Sequence, residues 1–299
     1  MTEEKVLVLC ATGKMGYGVV TGLKAAGFNE VYGTTRGSKQ SLEKAGVKPI
    51  IANYIVKADV ERAIKESGAK NLIFLTDFFK AARSNGKKEV EQGKLIIDVA
   101  KAQGIEFTIF LSAGDAEHFD AKTYHIHPKL EVEKYLKESG LKHAILRPVA
   151  FFENFDDAGN YNPLKKGAVK FLTEAPAFLV STFDLGKAAA VFLRNQDEWS
   201  GKTLEASSYK GSVADVAKAL ETISGVPTKG SLAMPLCLRS LFLNDLHHMC
   251  LYIENGYQGT NQNIEAFRKV VPDALDAEGW FRHHASFANG EKIAKEASV

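Results

Sequence analysis

The stretch Val6–Gly16, VLVLCATGKMG, decides how the chain is read. It opens with an aliphatic run of strand length, too short to span a membrane. It then turns through Ala11, Thr12, Gly13, Lys14, Met15 and Gly16 into a helix-forming run, MGYGVVTGLKAAG. Glycines at such a turn let backbone approach a pyrophosphate. The first turn of the helix adds free N–H groups at the positive end of its dipole. A plain strand–turn–helix has the same outline. The place of this turn at the head of an alternating chain favours the nucleotide reading.

The alternation runs through the first half. Strands are predicted at Lys5–Cys10, Glu30–Thr35, Val47–Ala52, Asn71–Thr76, Phe107–Ser112 and His143–Pro148. Between them lie the amphipathic runs MGYGVVTGLKAAG, ADVERAIKESG, KKEVEQGKLIIDVAKAQG and PKLEVEKYLKESG, each ending in glycine, the usual helix stop. Apolar strands alternating with helices predict an α/β fold: a doubly wound parallel Rossmann sheet, buried on both faces. After Pro148 the rhythm breaks into the loop-rich AFFENFDDAGNYNPLKKGAVKFL. A helix after Thr182, a strand TLEAS and a helix capped by Ser212 follow. Residues 1–150 are expected to form the dinucleotide domain. Residues 151–299 are expected to form a small α/β C-terminal lobe, interleaved with the last sheet strands and covering the sheet edge where ligands bind.

Composition excludes several classes. The 299 residues carry a net charge of +2 and 45% hydrophobic residues, too balanced for a nucleic-acid or anionic-membrane partner. Cys10, Cys237 and Cys250 form no CxxC and leave an odd count, against a disulfide framework or a zinc site. With an acidic N-terminus and no long apolar run, a cytoplasmic setting is expected.

The second strand ends in Thr34-Thr35-Arg36-Gly37-Ser38-Lys39, with no acid to hold a ribose 2′-hydroxyl. Arg36 can fork onto a 2′-phosphate and Lys39 can add charge, which points to NADP(H) rather than NAD. Cys10 stands where the usual fingerprint has its first glycine. It is therefore expected to take an ordinary backbone conformation there. Its thiol reads as a buried strand end, or else as a redox contact of lowered pKa beside the bound phosphates.

The A-T-G-K-M-G loop, Thr35-Arg36, EVEQGKL (Glu89–Leu95), the pair His125/Lys129 before LEVEKYLKESGL, and RPVAFFENF (Arg147–Phe155) together resemble the NmrA-like family of atypical short-chain dehydrogenase/reductases, in its NADPH-sensor branch. The resemblance implies NADP(H) across the strand edge. Cys10 and Thr12 to Gly16 (with Gly13, Lys14 and Met15) would hold the pyrophosphate, and Arg36 with Lys39 the 2′-phosphate. Asn53 and Tyr54 would lie near adenine, Thr76, Asp77 and Phe78 near the adjoining ribose, and Lys129 at the nicotinamide ribose. Phe151, Phe152, Glu153 and Asn154 would line the nicotinamide side. Cys10 for glycine and Asn53 for the Asp of many relatives are the departures.

Chemistry is concentrated in TYHIHPK, Thr123–Lys129. In ordinary relatives a tyrosine protonates a carbonyl, and a lysine four residues on binds the ribose. Here His125 is four before Lys129 and Tyr124 is five before it. Pro128 suits a first helical position, so the helix is expected to begin there, with Tyr124, His125 and His127 in the preceding loop. His125 takes the tyrosine's slot by resemblance only. Ser112 stands where a catalytic serine would, or merely ends its strand. His247-His248 reads as two helix residues pointing apart rather than as a metal site, and His127 and His283-His284 as surface.

Three functions fit. The first is an NADP(H)-binding regulator or NADPH/NADP sensor acting through a protein partner or homodimer. The second is an NADPH-dependent oxidoreductase of a quinone, ketone or other flat electrophile, stacked on Phe78, Phe79, Phe151, Phe152 and Phe155. The third is a scaffold with a vestigial site.

Overall fold

The computed structural model describes residues 4–156 and 167–283. The middle of the loop after Pro148, and His284, lie outside the described residues. Strands β1 (Val6–Val8), β2 (Val31–Thr35), β3 (Lys48–Ile51), β4 (Asn71–Leu75), β5 (Phe107–Leu111) and β6 (His143–Pro148) alternate with helices α1 (Lys14–Ala25), α2 (Gln40–Lys44), α3 (Lys57–Ser67), α4 (Gly86–Ala102) and α5 (His127–Glu138). Then come β7 (Ala150–Phe151), β8 (Ala168–Phe171), β9 (Ala177–Val180), α6 (Thr182–Arg194), α7 (Gln196–Trp199) and β10 (Thr203–Ala206). The chain continues through β11 (Tyr209–Gly211), α8 (Val213–Ser224), β12 (Lys229–Leu232), α9 (Leu236–Phe242), α10 (Asn244–Glu254), α11 (Ile264–Val270) and α12 (Ala277–His283).

Two compact units form. The first holds residues 1–117, 124–148 and 182–205; the second holds 118–123, 149–181 and 206–299. The sheet of the first unit runs β10-β6-β5-β4-β1-β2-β3. Every pair from β3 across to β6 is parallel. β1 lies between β2 and β4, with Val6 opposite Val31 on one side and Asn71 on the other. The winding reverses at β1 and β4, which puts the open crevice at their C-terminal ends. The strands are apolar on both faces because helices cover both. Leu7, Leu9, Leu72, Phe110 and Ile145 share one core, with Phe74 and Phe110 stacked at 4.8 Å.

Helix α6 packs on α1 within this unit, and glycines set the approach. A Cβ on Gly22 would lie 2.2 Å from the Phe183 carbonyl oxygen, and one on Gly186 2.4 Å from that of Val19. The helices therefore touch backbone to backbone, which holds α1 against rotation about its own axis.

In the second unit β11 pairs with β9 and β9 with β7, and β12 pairs with β8. Ser212 caps α8 in a full capping box with Asp215, and Gly225 ends it in the left-handed conformation. Phe152, Phe155, Phe171, Trp280 and Phe281 fill its core. Arg239, 1% exposed, forks onto Glu254 and donates to the Leu172 carbonyl.

Gly22→Ala should lower stability by about 1–3 kcal/mol through overpacking at the α1–α6 contact. Alanine's better helix propensity, about 1 kcal/mol, offsets only part of this. A urea midpoint equal to or above the wild type's would refute the contact.

Candidate active site

The site builds from the ends of β1, β2 and β4. β1 runs out at Val8, and the loop to α1 is pinned to β2: Cys10 N–H donates to Thr34 Oγ1 at 2.9 Å and Ala11 N–H to the Thr34 carbonyl at 3.0 Å. The expectation for Cys10 is corrected here. It adopts φ 57°, the left-handed conformation of the glycine it replaces. Such a residue costs about 1–2 kcal/mol. It is held because the tight turn and the two bonds to Thr34 leave the peptide no other course, with Gly13 N–H closing the turn onto the Cys10 carbonyl at 3.1 Å. Burial, the main cause, pushes the pKa of its thiol up, which favours the reading as a buried strand end.

Gly13 is the N-cap of α1, and no side chain caps it. A Cβ on Gly16 would lie 2.2 Å from the Cys10 carbonyl oxygen, so glycine alone lets the helix start this close to the strand. Thr12 is exposed at the rim, its hydroxyl 3.4 Å from that of Thr35, and Lys14 and Met15 are half-buried. This uncapped, glycine-lined cradle fits a pyrophosphate.

The adenine-side residues come together. The Arg36 guanidinium lies 5.9 Å from the centre of the Tyr54 ring, and Tyr54 OH lies 3.4 Å from Asp77 Oδ2. Tyr54 is buried, which raises its pKa. Asn53 turns the chain into α3, its N–H bonded to Asp59 Oδ2 at 2.8 Å. Arg36 and Lys39 are exposed, Lys39 as the N-cap of α2. Asp77 accepts from the Lys80 and Ala81 N–H groups and so folds the loop after β4 back on itself.

The nicotinamide-side residues give a different picture from the expected one. Helix α5 begins at His127, one residue before the expected start, with Pro128 in its first turn. Lys129 Nζ bonds to Glu89 Oε1, and the Thr76 hydroxyl donates to the same oxygen at 2.6 Å. Glu89 is fully buried, and its Oε2 has no hydrogen-bond partner. His125 is half-buried beside Phe79 (ring centres 5.5 Å) and Phe78 (6.3 Å). Phe79 is 53% exposed, and so is Tyr124, on the loop before α5.

Ser112, 1% exposed, donates to Glu133 Oε1 at 2.6 Å. Glu133 is bridged by both Nε and Nη2 of Arg147 at 2.8 Å, while Arg147 Nη1 reaches Glu117 at 2.7 Å and Glu205 at 3.0 Å. Burial works against the charge on Arg147, and its bonds to Glu133, Glu205 and Glu117 outweigh it, so its pKa is raised. For Glu205 burial dominates over Arg147 and lifts the carboxyl from an ordinary 4.5 up to about 7.

Phe151, Phe152, Glu153 and Asn154 belong to the second unit. Two aromatic expectations are corrected there. Phe152 stacks on Trp280 at 5.9 Å, and Phe155 packs on Phe171 at 5.6 Å. Both rings are at most 1% exposed, so they build the core and have no face to offer a substrate. Glu153 accepts from Ser181 at 2.8 Å and from the Trp280 indole at 3.3 Å. His247 Nδ1 accepts from Arg239 Nε at 3.2 Å, and His248 lies 4.0 Å from Asp120. His127 is a half-buried helix residue, not a fully exposed loop one.

Glu89, Glu133 and Arg147 are the residues that sequence reasoning gave no role. A signal existed: Glu89 shares the buried face of α4 with Gln92, Gly93 and Ile96, and Glu133 that of α5 with Val132 and Leu136. An acid on an apolar helical stripe marks a buried partner.

The NmrA-like family model matches residues 2–280. Among solved structures, the chain resembles NmrA, a negative transcriptional regulator, in complex with NADP: 16% identity, TM-score 0.74, covering 98% of this chain and 100% of that one. It also resembles the triphenylmethane reductase of Citrobacter sp. complexed with NADP(H): 17% identity, TM-score 0.72, 92% and 98% covered. The NADPH-dependent quinone oxidoreductase of Escherichia coli gives 19% identity, TM-score 0.68, 93% and 99% covered. At these identities the likeness is one of fold. Among curated proteins, prestalk A differentiation protein A of Dictyostelium discoideum is 28% identical over 115 residues, 38% of this chain but only 35% of that protein's length. Among the described residues, no helix is long and apolar enough to cross a membrane.

Glu205 supplies a test of the buried network. Between pH 4.5 and 7 the folded chain keeps a proton on Glu205 that the unfolded chain releases. The stability that Glu205 contributes is therefore full below that window and is lost as pH rises through it, by at most about 1.4 kcal/mol per pH unit. Glu205→Gln stays neutral throughout. Its urea midpoint should gain on the wild type's from pH 5 to pH 8, and a constant difference would refute the raised carboxyl.

Proposed function

Because the chain belongs to the NmrA-like family, we propose that it is an NADP(H)-binding regulator, in which cofactor occupancy alters its contacts with a protein partner. One observation carries this reading. The two positions that would assist a proton-donating tyrosine are both bonded to buried carboxylates: Lys129 to Glu89, and Ser112 to Glu133. What remains is a binding edge. The turn from Thr12 to Gly16 would take the pyrophosphate, Arg36 and Lys39 the 2′-phosphate, Tyr54 and Asn53 the adenine end, and Lys129 the nicotinamide ribose. No carboxylate ends β2, and the exposed Arg36 fork favours the phosphorylated cofactor. Three free thiols, Cys10, Cys237 and Cys250, suit a cytoplasmic setting.

The half-exposed ring of Phe79, tilted 35° to His125, favours a second reading. A flat quinone-like electrophile can stack on Phe79 while His125 gives a proton to its oxygen. The reduced nicotinamide, when bound, supplies the hydride. The chain's own part is to stack the acceptor, exclude water from it and protonate it.

Fluorescence titration separates these outcomes. NADPH should bind more tightly than NADH. Arg36→Ala should weaken NADPH about 10- to 100-fold, the loss of charge-assisted bonds to phosphate, and leave NADH nearly unchanged. Equal losses would overturn the 2′-phosphate assignment. Incubation with a panel of quinones and ketones should not consume NADPH. Turnover that Lys129→Ala abolishes would replace the regulator by the reductase.

A further inference from the structure

Glu89 is the odd group in the first unit. A carboxylate kept only for the stability of the fold would have both oxygens satisfied, because a buried acceptor left bare costs stability. Here Oε1 takes both the Thr76 hydroxyl and Lys129 Nζ, and Oε2 takes nothing. The residue is fully buried, while the Lys129 side chain keeps 12% of its surface exposed. Of the pair, only the lysine side chain reaches solvent.

The backbone explains how the pair is aimed. Glu89 is fixed in the first turn of α4, whose N-cap Asn85 accepts from Lys88 N–H. Lys129 lies in the first turn of α5 beside Pro128. Thr76 follows directly from β4 at the open end of the sheet. A lysine alone is a flexible point charge on a long stem. Anchoring one of its three N–H donors to a buried carboxylate removes most of that freedom before any ligand arrives.

We propose that Glu89 is a positioning residue for the cofactor: it clamps Lys129 so that the two remaining N–H donors face the hydroxyls of the nicotinamide ribose. This rests on the NADP(H)-binding reading above and assigns a role to a residue that touches no ligand itself. The effect is confined to one half of the dinucleotide. The 2′-phosphate, the adenine and the pyrophosphate meet Arg36, Tyr54 and the α1 cradle, none of which bonds to Glu89.

Two ligands and a mutant cycle test it. Dissociation constants for NADPH and for adenosine 2′,5′-bisphosphate, which lacks the nicotinamide ribose, are measured by calorimetry on the wild type, Glu89→Gln, Lys129→Ala and the double variant. Glu89→Gln should weaken NADPH about tenfold, the loss of one charge-assisted anchor, and leave the bisphosphate within about twofold. In the Lys129→Ala background Glu89→Gln should add nothing, because Glu89 acts through the lysine. Equal losses for both ligands, or an additive loss in the double variant, would mean that Glu89 only supports the fold. Should Glu89→Gln not fold, Glu89→Asp keeps the charge but withdraws it by one methylene. It should give a smaller loss, again for NADPH alone, and an unchanged NADPH affinity would overturn the clamp. A wild type that binds neither ligand would instead sink the NADP(H) reading.

Discussion

The backbone contact between the end of β1 and the start of α1 is the constraint on which the rest depends. The two elements meet so closely that Gly16 has no room for a Cβ beside the Cys10 carbonyl, and Cys10 must enter the left-handed region to make the turn. Glycine at position 10 would meet that demand without strain. The chain instead holds a cysteine there through two hydrogen bonds to Thr34. The local cost is carried because β2 grips the loop. The same grip brings Arg36, at the end of β2, to the mouth of the turn. On its far side α1 is locked to α6 through Gly22 and Gly186. An anion cradle made of backbone N–H groups is only as rigid as the helix that presents them, and α6 supplies that rigidity.

Much of the fold was legible because parallel strands buried on both faces read as plain aliphatic runs. All six early strands and the helices α1, α3, α4 and α5 stand where hydrophobic period and glycine stops place them. Helix α2 escaped notice because QSLEK is a single short turn with one buried residue, Leu42, and carries no period to read. The short strands β7, β8, β9, β11 and β12 were hidden for the same reason. The return of residues 182–205 to the first unit rests on glycines whose role appears only when α1 lies against them.

The site was legible where backbone makes it and illegible where side chains meet across elements. The glycine cradle and Arg36 follow from local sequence. The Glu89–Lys129 and Glu133–Arg147 pairs join residues 40 and 14 positions apart, on different helices and strands, and no spacing announces them. Cys10 was misjudged on the assumption that a side chain forbids positive φ, when the penalty is only about 1–2 kcal/mol and neighbours can hold it. Phe152 and Phe155 were misjudged because an aromatic run after a strand end has the same composition whether it faces a ligand or a core.

These pairings also bear on the binding reading proposed above. The serine and lysine are both present; what differs is what they face. Ser112 donates its hydroxyl hydrogen to Glu133, itself already gripped by Arg147. Lys129 is held by Glu89, and its side chain stays mostly buried. An ammonium donates to hydroxyls and has no lone pair with which to take a proton from them. Each of the two residues is thus given a buried acid as partner, and under the binding reading proposed above the lysine alone would meet the ribose.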